Sequence, residues 1–166
     1  MNQTYTSANT SINKDKLPAV YSKVDFEAMA RLHNVRTILD YGCGKYNNGK
    51  EYIEGMGLEW LGYDPYNRTE EENREACTCV SDAVICSNVL CVIDSEEAIQ
   101  AIVDSLTGME IPYFFTIYEG NKSGIGCPTK GDCYQRNEKT KDYLRFFPET
   151  AVVRKGVITN APELLK

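Results

Sequence analysis

The chain holds a single histidine, His33, and a single tryptophan, Trp60, in 166 residues. None of its seven cysteines forms a CxxC pair. The repeated cysteine pairs or neighbouring histidines that hold zinc are therefore missing, and no metal site is expected. No apolar run approaches the ~18–20 residues needed to cross a bilayer. The first ten residues, MNQTYTSANT, lack the basic start and apolar stretch of a secretory signal. These absences exclude collagen-like, coiled-coil, membrane and disulfide-stapled classes. The expectation is a cytoplasmic protein with reduced thiols and no membrane partner. Cys43, Cys86 and Cys91 lie in apolar or glycine-rich surroundings, where cysteine serves as a small hydrophobe.

What is present is ordinary for a folded domain: 42% hydrophobic and 25% charged residues, with a length that fits one domain spanning 1–166. Charge is uneven. Residues 1–112 carry nine basic and eighteen acidic residues; residues 113–166 carry nine basic and six acidic. Glu70, Glu71, Glu72 and Glu75 read as a solvated acidic face, whereas the C-terminal third is a candidate face for an anionic partner.

Residues 1–18 read as an irregular arm. The pattern predicts helices over 24–33, capped by Asp25, over 48–57, and over 95–106, capped by Ser95. It predicts strands over 36–41, 59–63, 82–87 and 112–118, then a hairpin over 151–159 with Lys155-Gly156 at its turn. Residues 67–76 read as an acidic polar stretch, residues 119–143 as a loop or lid, and residues 142–147 as a short helix. Strands alternating with helices imply an α/β fold with a mostly parallel sheet and a C-terminal antiparallel hairpin. Ligands of such sheets bind at the carboxyl ends of the strands.

The informative segment is Ile38-Leu39-Asp40-Tyr41-Gly42-Cys43-Gly44-Lys45. A buried strand delivers an acidic residue and then two glycines that admit unusual backbone angles and close ligand approach. A helix starting near Asn48 is expected to aim its amides at that ligand. Asp64 follows 24 residues after Asp40, near the ~20-residue spacing at which an acidic residue reaches ribose hydroxyls. Gly42, Gly44 and Gly49 give GxGxxxxG rather than the dinucleotide fingerprint GxGxxG. A carboxylate before the first glycine would repel pyrophosphate but bind an ammonium group. No Walker A loop occurs. These departures weigh against a nucleotide-binding oxidoreductase.

ILDYGCGK is similar to motif I of class I S-adenosylmethionine-dependent methyltransferases, and GYDPY and DAVICSNVL resemble the ends of that family's second and fourth strands. The pairing of Tyr-Asp-Pro with Ser-Asn-Val-Leu-Cys-Val-Ile resembles a narrower group. It comprises short phage and bacterial methyltransferases, including ones associated with DNA phosphorothioation. The resemblance covers roughly residues 36–120. It implies a Rossmann-like methyltransferase fold with S-adenosylmethionine as cofactor. It also implies cofactor-binding roles for Asp40 near the amino group, Gly42 and Gly44 along the methionine part, Asp64 on the ribose hydroxyls, and Pro65 and Asn88 beside the cofactor. Only about 15 residues separate Asp64 from Asp82, so the family's third strand must be reduced or lost, and the adenine contacts stay open. Asp64-Pro65-Tyr66 lies after the wrong strand for an amino-methylating DNA enzyme. No Pro-Cys pair marks a cytosine-C5 nucleophile.

Catalytic residues are unassigned by the resemblance. Glu119 is a candidate to orient or deprotonate an acceptor. Tyr134 and Arg136 are candidates to stack on or pair with a nucleic-acid or nucleotide-like acceptor. The alternative is a module or partner subunit that binds the methyl donor without transferring the methyl group.

Overall fold

The near-continuous apolar runs TILDY, WLGY, AVICS and YFFT suit strands covered on both faces, and all four become central strands. The computed structural model describes residues 3–9 and 14–166. Positions 1, 2 and 10–13 of the expected arm lie outside the described residues; the rest of the arm has no helix or strand. In chain order the elements are α1 (Ala19–Lys23), α2 (Phe26–His33), β1 (Thr37–Tyr41), α3 (Asn48–Glu54), β2 (Glu59–Tyr63), α4 (Glu70–Thr78), β3 (Ala83–Ser87), α5 (Glu96–Thr107), β4 (Tyr113–Thr116), β5 (Cys127–Thr129), β6 (Cys133–Gln135), β7 (Val152–Arg154) and β8 (Val157–Thr159). Short 3₁₀ turns occupy Leu90–Val92, Thr140–Phe146 and Pro162–Leu164.

Six strands form one sheet in the order β2-β1-β3-β4-β8-β7, and β5 and β6 form a separate antiparallel pair. The first four strands are parallel; β8 runs antiparallel to β4, and β7 antiparallel to β8. The chain thus winds outward from β1 to β2 in one direction and from β3 to β4 in the other. The order reverses between β1 and β3, and a crevice opens at their carboxyl ends. No strand lies between β2 and β3 in sequence among the described residues. α4 alone carries the chain across, which agrees with a lost third strand.

Alternation along the strands builds two cores. On one face Leu39, Leu61, Val84, Cys86 and Phe115 pack against Ile99, Val103 and Leu106 of α5 and against Tyr143 and Phe146. On the other, Ile38, Trp60, Ile85 and Phe114 pack against Tyr21, Phe26, Met29 and Ile53 of α1, α2 and α3. Asp25 and Ser95 cap α2 and α5 through bonds from the Ala28 and Ala98 amides. At the 151–159 hairpin, Lys155 and Gly156 both take positive φ, 50° and 74°, which a two-residue turn with matching twist requires.

Two local readings need correction, and one helix, α1, had no reading at all. The acidic stretch contains the helix α4. It is held by a capping box in which Thr69 accepts from the Glu72 amide and the Glu72 carboxylate accepts from the Thr69 amide. The T-x-x-E spacing was the available signal, and Glu70, Glu71 and Glu72 of the solvated face are its first turn, where the helix dipole favours them. The presumed loop contains the β5–β6 hairpin. The short helix α1 forms because Val20 and Tyr21 are fully buried, a tertiary effect that five residues of local pattern do not reveal. Thr69→Ala is expected to lower unfolding free energy by about 1 kcal/mol in chemical denaturation, since an N-cap and its reciprocal bond are lost together.

Candidate functional site

The crevice at the reversal is a cleft of about 1280 Å³. Its floor comes from the segments that leave three adjacent parallel strands: Tyr41 to Gly44 after β1, Tyr63 to Asn67 after β2, and Ser87 to Val89 after β3. Ala98 and Ile102 of α5 and Tyr118, Gly120 and Asn121 after β4 form further wall. Residues of the β5–β6 hairpin and of the arm close it over. Gly42, Gly44, Asp64, Pro65 and Asn88, five of the six residues expected at a cofactor, therefore meet in one place.

The glycine turn is tied to the end of β2. The Gly42 and Cys43 amides both donate to the Tyr63 carbonyl, at 2.7 and 3.1 Å, and the Gly44 amide donates to Asp64 Oδ2 at 3.0 Å. Gly42 sits at φ 75°, and a Cβ there would lie 2.1 Å from Val89 Cγ2, so only glycine fits. Asp64 Oδ1 accepts from the Tyr66 and Asn67 amides, both at 3.0 Å, and from Asn67 Nδ2. Asp64 thus shapes the turn with Pro65 and also faces the cleft. Each carboxylate oxygen has two lone-pair sites, so Oδ2 retains acceptor capacity for a ligand hydroxyl. Beneath the turn, Arg68 donates to the Gly44 carbonyl at 2.9 Å, the Tyr46 carbonyl at 2.7 Å and Asn47 Oδ1 at 2.7 Å, and lies over the Trp60 ring. Sequence reading missed this brace. An arginine four residues past an acidic strand end has no pattern that reveals it.

Asp40 lies elsewhere. It is 3% exposed, does not line the cleft, and accepts from Tyr21 Oη at 2.5 Å and Trp60 Nε1 at 3.3 Å. The expected contact with a ligand amino group is replaced by a clamp between α1, β1 and β2. The cause is strand alternation: Asp40 points to the face opposite Leu39 and Tyr41. α3 also departs from expectation. Neither it nor the Lys45–Asn47 approach to it lines the cleft, so its amides are not aimed there.

The proposed acceptor residues separate. Glu119 does not line the cleft. It accepts from the Thr140 amide at 2.7 Å and pairs with Lys122 at 3.1 Å, and these bonds lower its carboxyl to about 2, too acidic for an effective base at neutral pH. Arg136 is 8% exposed and turned away from the cleft. It bonds Glu138 at 2.7 Å, Glu96 at 3.2 Å and the Ile93 and Asp94 carbonyls, both at 3.3 Å. An arginine so enclosed is a structural brace rather than a phosphate ligand. Tyr134 does line the cleft, with its ring stacked on Tyr5 at 5.2 Å. Among the described residues, Asp64 and Lys130 are the only formally charged groups on the cleft lining.

No family model, no curated protein and no solved structure matches the chain. No helix among the described residues is long and apolar enough to cross a membrane.

Burial raises Asp40 from its ordinary 3.8 to about 6, against the opposing bonds from Tyr21 and Trp60. The folded protein therefore holds this proton more tightly than the unfolded chain. The contribution is full below about pH 4 and is lost as pH rises through 6, the reverse of a salt-bridged aspartate. Comparing Asp40→Asn with the parent by denaturation at pH 4, 5, 6 and 7 should show the parent losing on the order of 2–3 kcal/mol more across that range. Parallel curves would mean that Asp40 carries no such burial penalty.

Proposed function

We propose that the chain is an S-adenosylmethionine-dependent methyltransferase whose donor occupies the cleft at the β1–β3 reversal. The observation that carries this reading is the convergence of Gly42, Gly44, Asp64 and Asn88 on one cleft whose only acidic group among the described residues is Asp64. The fit to the donor rests on three features of the lining. The glycine turn, with Gly42 in a conformation closed to other residues, brings backbone rather than side chain to the cleft. Asp64 Oδ2 keeps an acceptor site for ribose hydroxyls. The turn amides are spent on Tyr63 and Asp64, so no ring of free N–H groups awaits a pyrophosphate. That last point disfavours a dinucleotide in the same place. The sheet order, with its missing third strand and antiparallel hairpin, agrees with the fold that the motif resemblance implies.

S-adenosylmethionine, when bound, supplies an already activated methyl group. The chain's task is then to hold, orient and enclose. Gly42 and Gly44 admit the methionine part, Asp64 with Pro65 fixes the ribose, and Asn88 stands at the end of β3 beside them. Positioning of this kind is worth several orders of magnitude without a protein base. The lining suits an acceptor that needs no strong base, because Glu119 is held elsewhere. With one cation on the lining, it also suits an uncharged planar group presented singly, such as a base, better than a run of phosphates. A second reading, a donor-binding module without transfer, is favoured by the confinement of Glu119 and Arg136 to structural bonds. Formation of S-adenosylhomocysteine on incubation with nucleic acid or cell extract separates the two readings.

Titration calorimetry with S-adenosylhomocysteine, NAD and NADP should show binding of the first alone. Asp64→Asn should weaken it about 10- to 150-fold, the range of a bond to a charged group. Asn keeps an oxygen for the Tyr66 and Asn67 amides but turns its Nδ2 toward the Gly44 amide, so unfolding of the unliganded variant is measured alongside, and affinity lost with stability retained identifies the ligand bond. Equal affinity in the variant would remove Asp64 from the ligand site.

A further inference from the structure

The strap formed by residues 3–9 closes the cleft, and its bonds reach separate walls. The Thr4 amide donates to Asp94 Oδ2 at 2.9 Å, beyond β3. The Thr6 amide and hydroxyl donate to Asp132 Oδ2 at 3.1 and 2.7 Å, on the hairpin turn. The Ala8 carbonyl accepts from Asn67 Nδ2 at 2.9 Å, beyond β2. The strap therefore runs from one side of the cleft to the other.

Ser7 is its keystone. Its amide donates to the Asp132 carbonyl at 2.8 Å, its hydroxyl donates to the Val92 carbonyl at 2.8 Å, and the same hydroxyl accepts from the Tyr134 amide at 3.1 Å. Ser7 does this at φ 48°, a conformation that a residue with a Cβ keeps only where its surroundings impose it. Three bonds to two elements supply that imposition.

The attachment is shallow and mostly polar, with the Tyr5 ring stacked on Tyr134 at 5.2 Å as an aromatic contact. None of residues 3–9 belongs to either apolar core, and the bonds of Thr4 and Thr6 face water. Bonds that exchange readily for water place a segment at the low-stability end of a fold, where it opens without global unfolding. The glycine turn and Asp64 line the same cleft, so the strap borders a route by which a ligand reaches them.

We propose that residues 3–9 are a latch, keyed by Ser7, whose release admits and discharges ligand. The latch sets exchange rates through the cleft while leaving the floor of the site intact. Its ligand-exchange consequence rests on the donor reading above; its opening does not.

The two parts are tested separately in the full-length chain, using Ser7→Ala and Asp132→Ala. Cys133 lines the cleft under the strap, and its Sγ lies 3.5 Å from Asn9 Nδ2. Alkylation by N-ethylmaleimide, followed residue by residue by mass spectrometry, reads opening directly, with the exposed Cys127 as internal reference. Cys133 labelling should rise about tenfold in each variant, since each removes two of the strap's side-chain hydrogen bonds, while Cys127 is unchanged. Unchanged Cys133 labelling overturns the latch. Surface plasmon resonance with S-adenosylhomocysteine then reads exchange. Association and dissociation rates should rise together by a similar factor, with little change in affinity. Faster Cys133 labelling with unaltered exchange rates overturns the gate, since ligand would be using another route. Faster labelling with no binding to parent or variants supports the latch and defeats the donor reading instead.

Discussion

The bond from the Gly44 amide to the Asp64 carboxylate joins the ends of β1 and β2, and the cleft takes its shape from it. Two neighbouring strands end in turns whose polar groups would otherwise be left without partners inside a partly closed crevice. Tyr63 and Asp64 take the turn's amides, Arg68 takes its carbonyl, and Asp64 in turn collects the amides that follow Pro65. The glycine turn's groups are satisfied from across the strand boundary, and the amides after Pro65 by Asp64 within their own turn. The turn is thereby fixed in a form that presents glycine Cα surface and one carboxylate, rather than a ring of donors. This arrangement is what supports the proposal of a sulfonium nucleoside over a dinucleotide in the cleft.

The same economy explains where charge is found. Arg136, Arg145, Glu96 and Glu138 form one network at the outer side of α5, with bonds of 2.7 to 3.2 Å. That network anchors the strand β6 and the Thr140–Phe146 turn, and so places Tyr134 and Gln135 on the cleft. The basic excess of the C-terminal third is thus partly consumed in holding the hairpin. The acidic run at 70–75 likewise serves the start of α4.

The central strands and the helices α2, α3 and α5 were legible because apolar runs, caps and terminal glycines all act within a few residues. The glycine turn and Asp64 were legible as a pair because their spacing follows from one strand–helix–strand unit. What stayed hidden depends on distant partners. Arg136 read as a free cation because Glu96 and the Ile93 and Asp94 carbonyls lie 40 or more positions away, although its tightest partner, Glu138, stands two positions on. Asp40 read as a ligand contact because only packing shows Tyr21 and Trp60 over it. The hairpin β5–β6 has three-residue strands whose one buried residue is the polar Gln135, and the strap has no regular structure at all. Neither leaves a periodic trace.

The central claim is that the cleft floor holds a methyl donor by Gly42, Gly44 and Asp64. A crystal structure of the protein grown with S-adenosylhomocysteine tests it most directly. The account predicts the amino-acid portion against the Gly42–Gly44 turn and both ribose hydroxyls on the Asp64 carboxylate. Ligand bound away from the β1–β3 reversal, or ribose turned from Asp64, would contradict it.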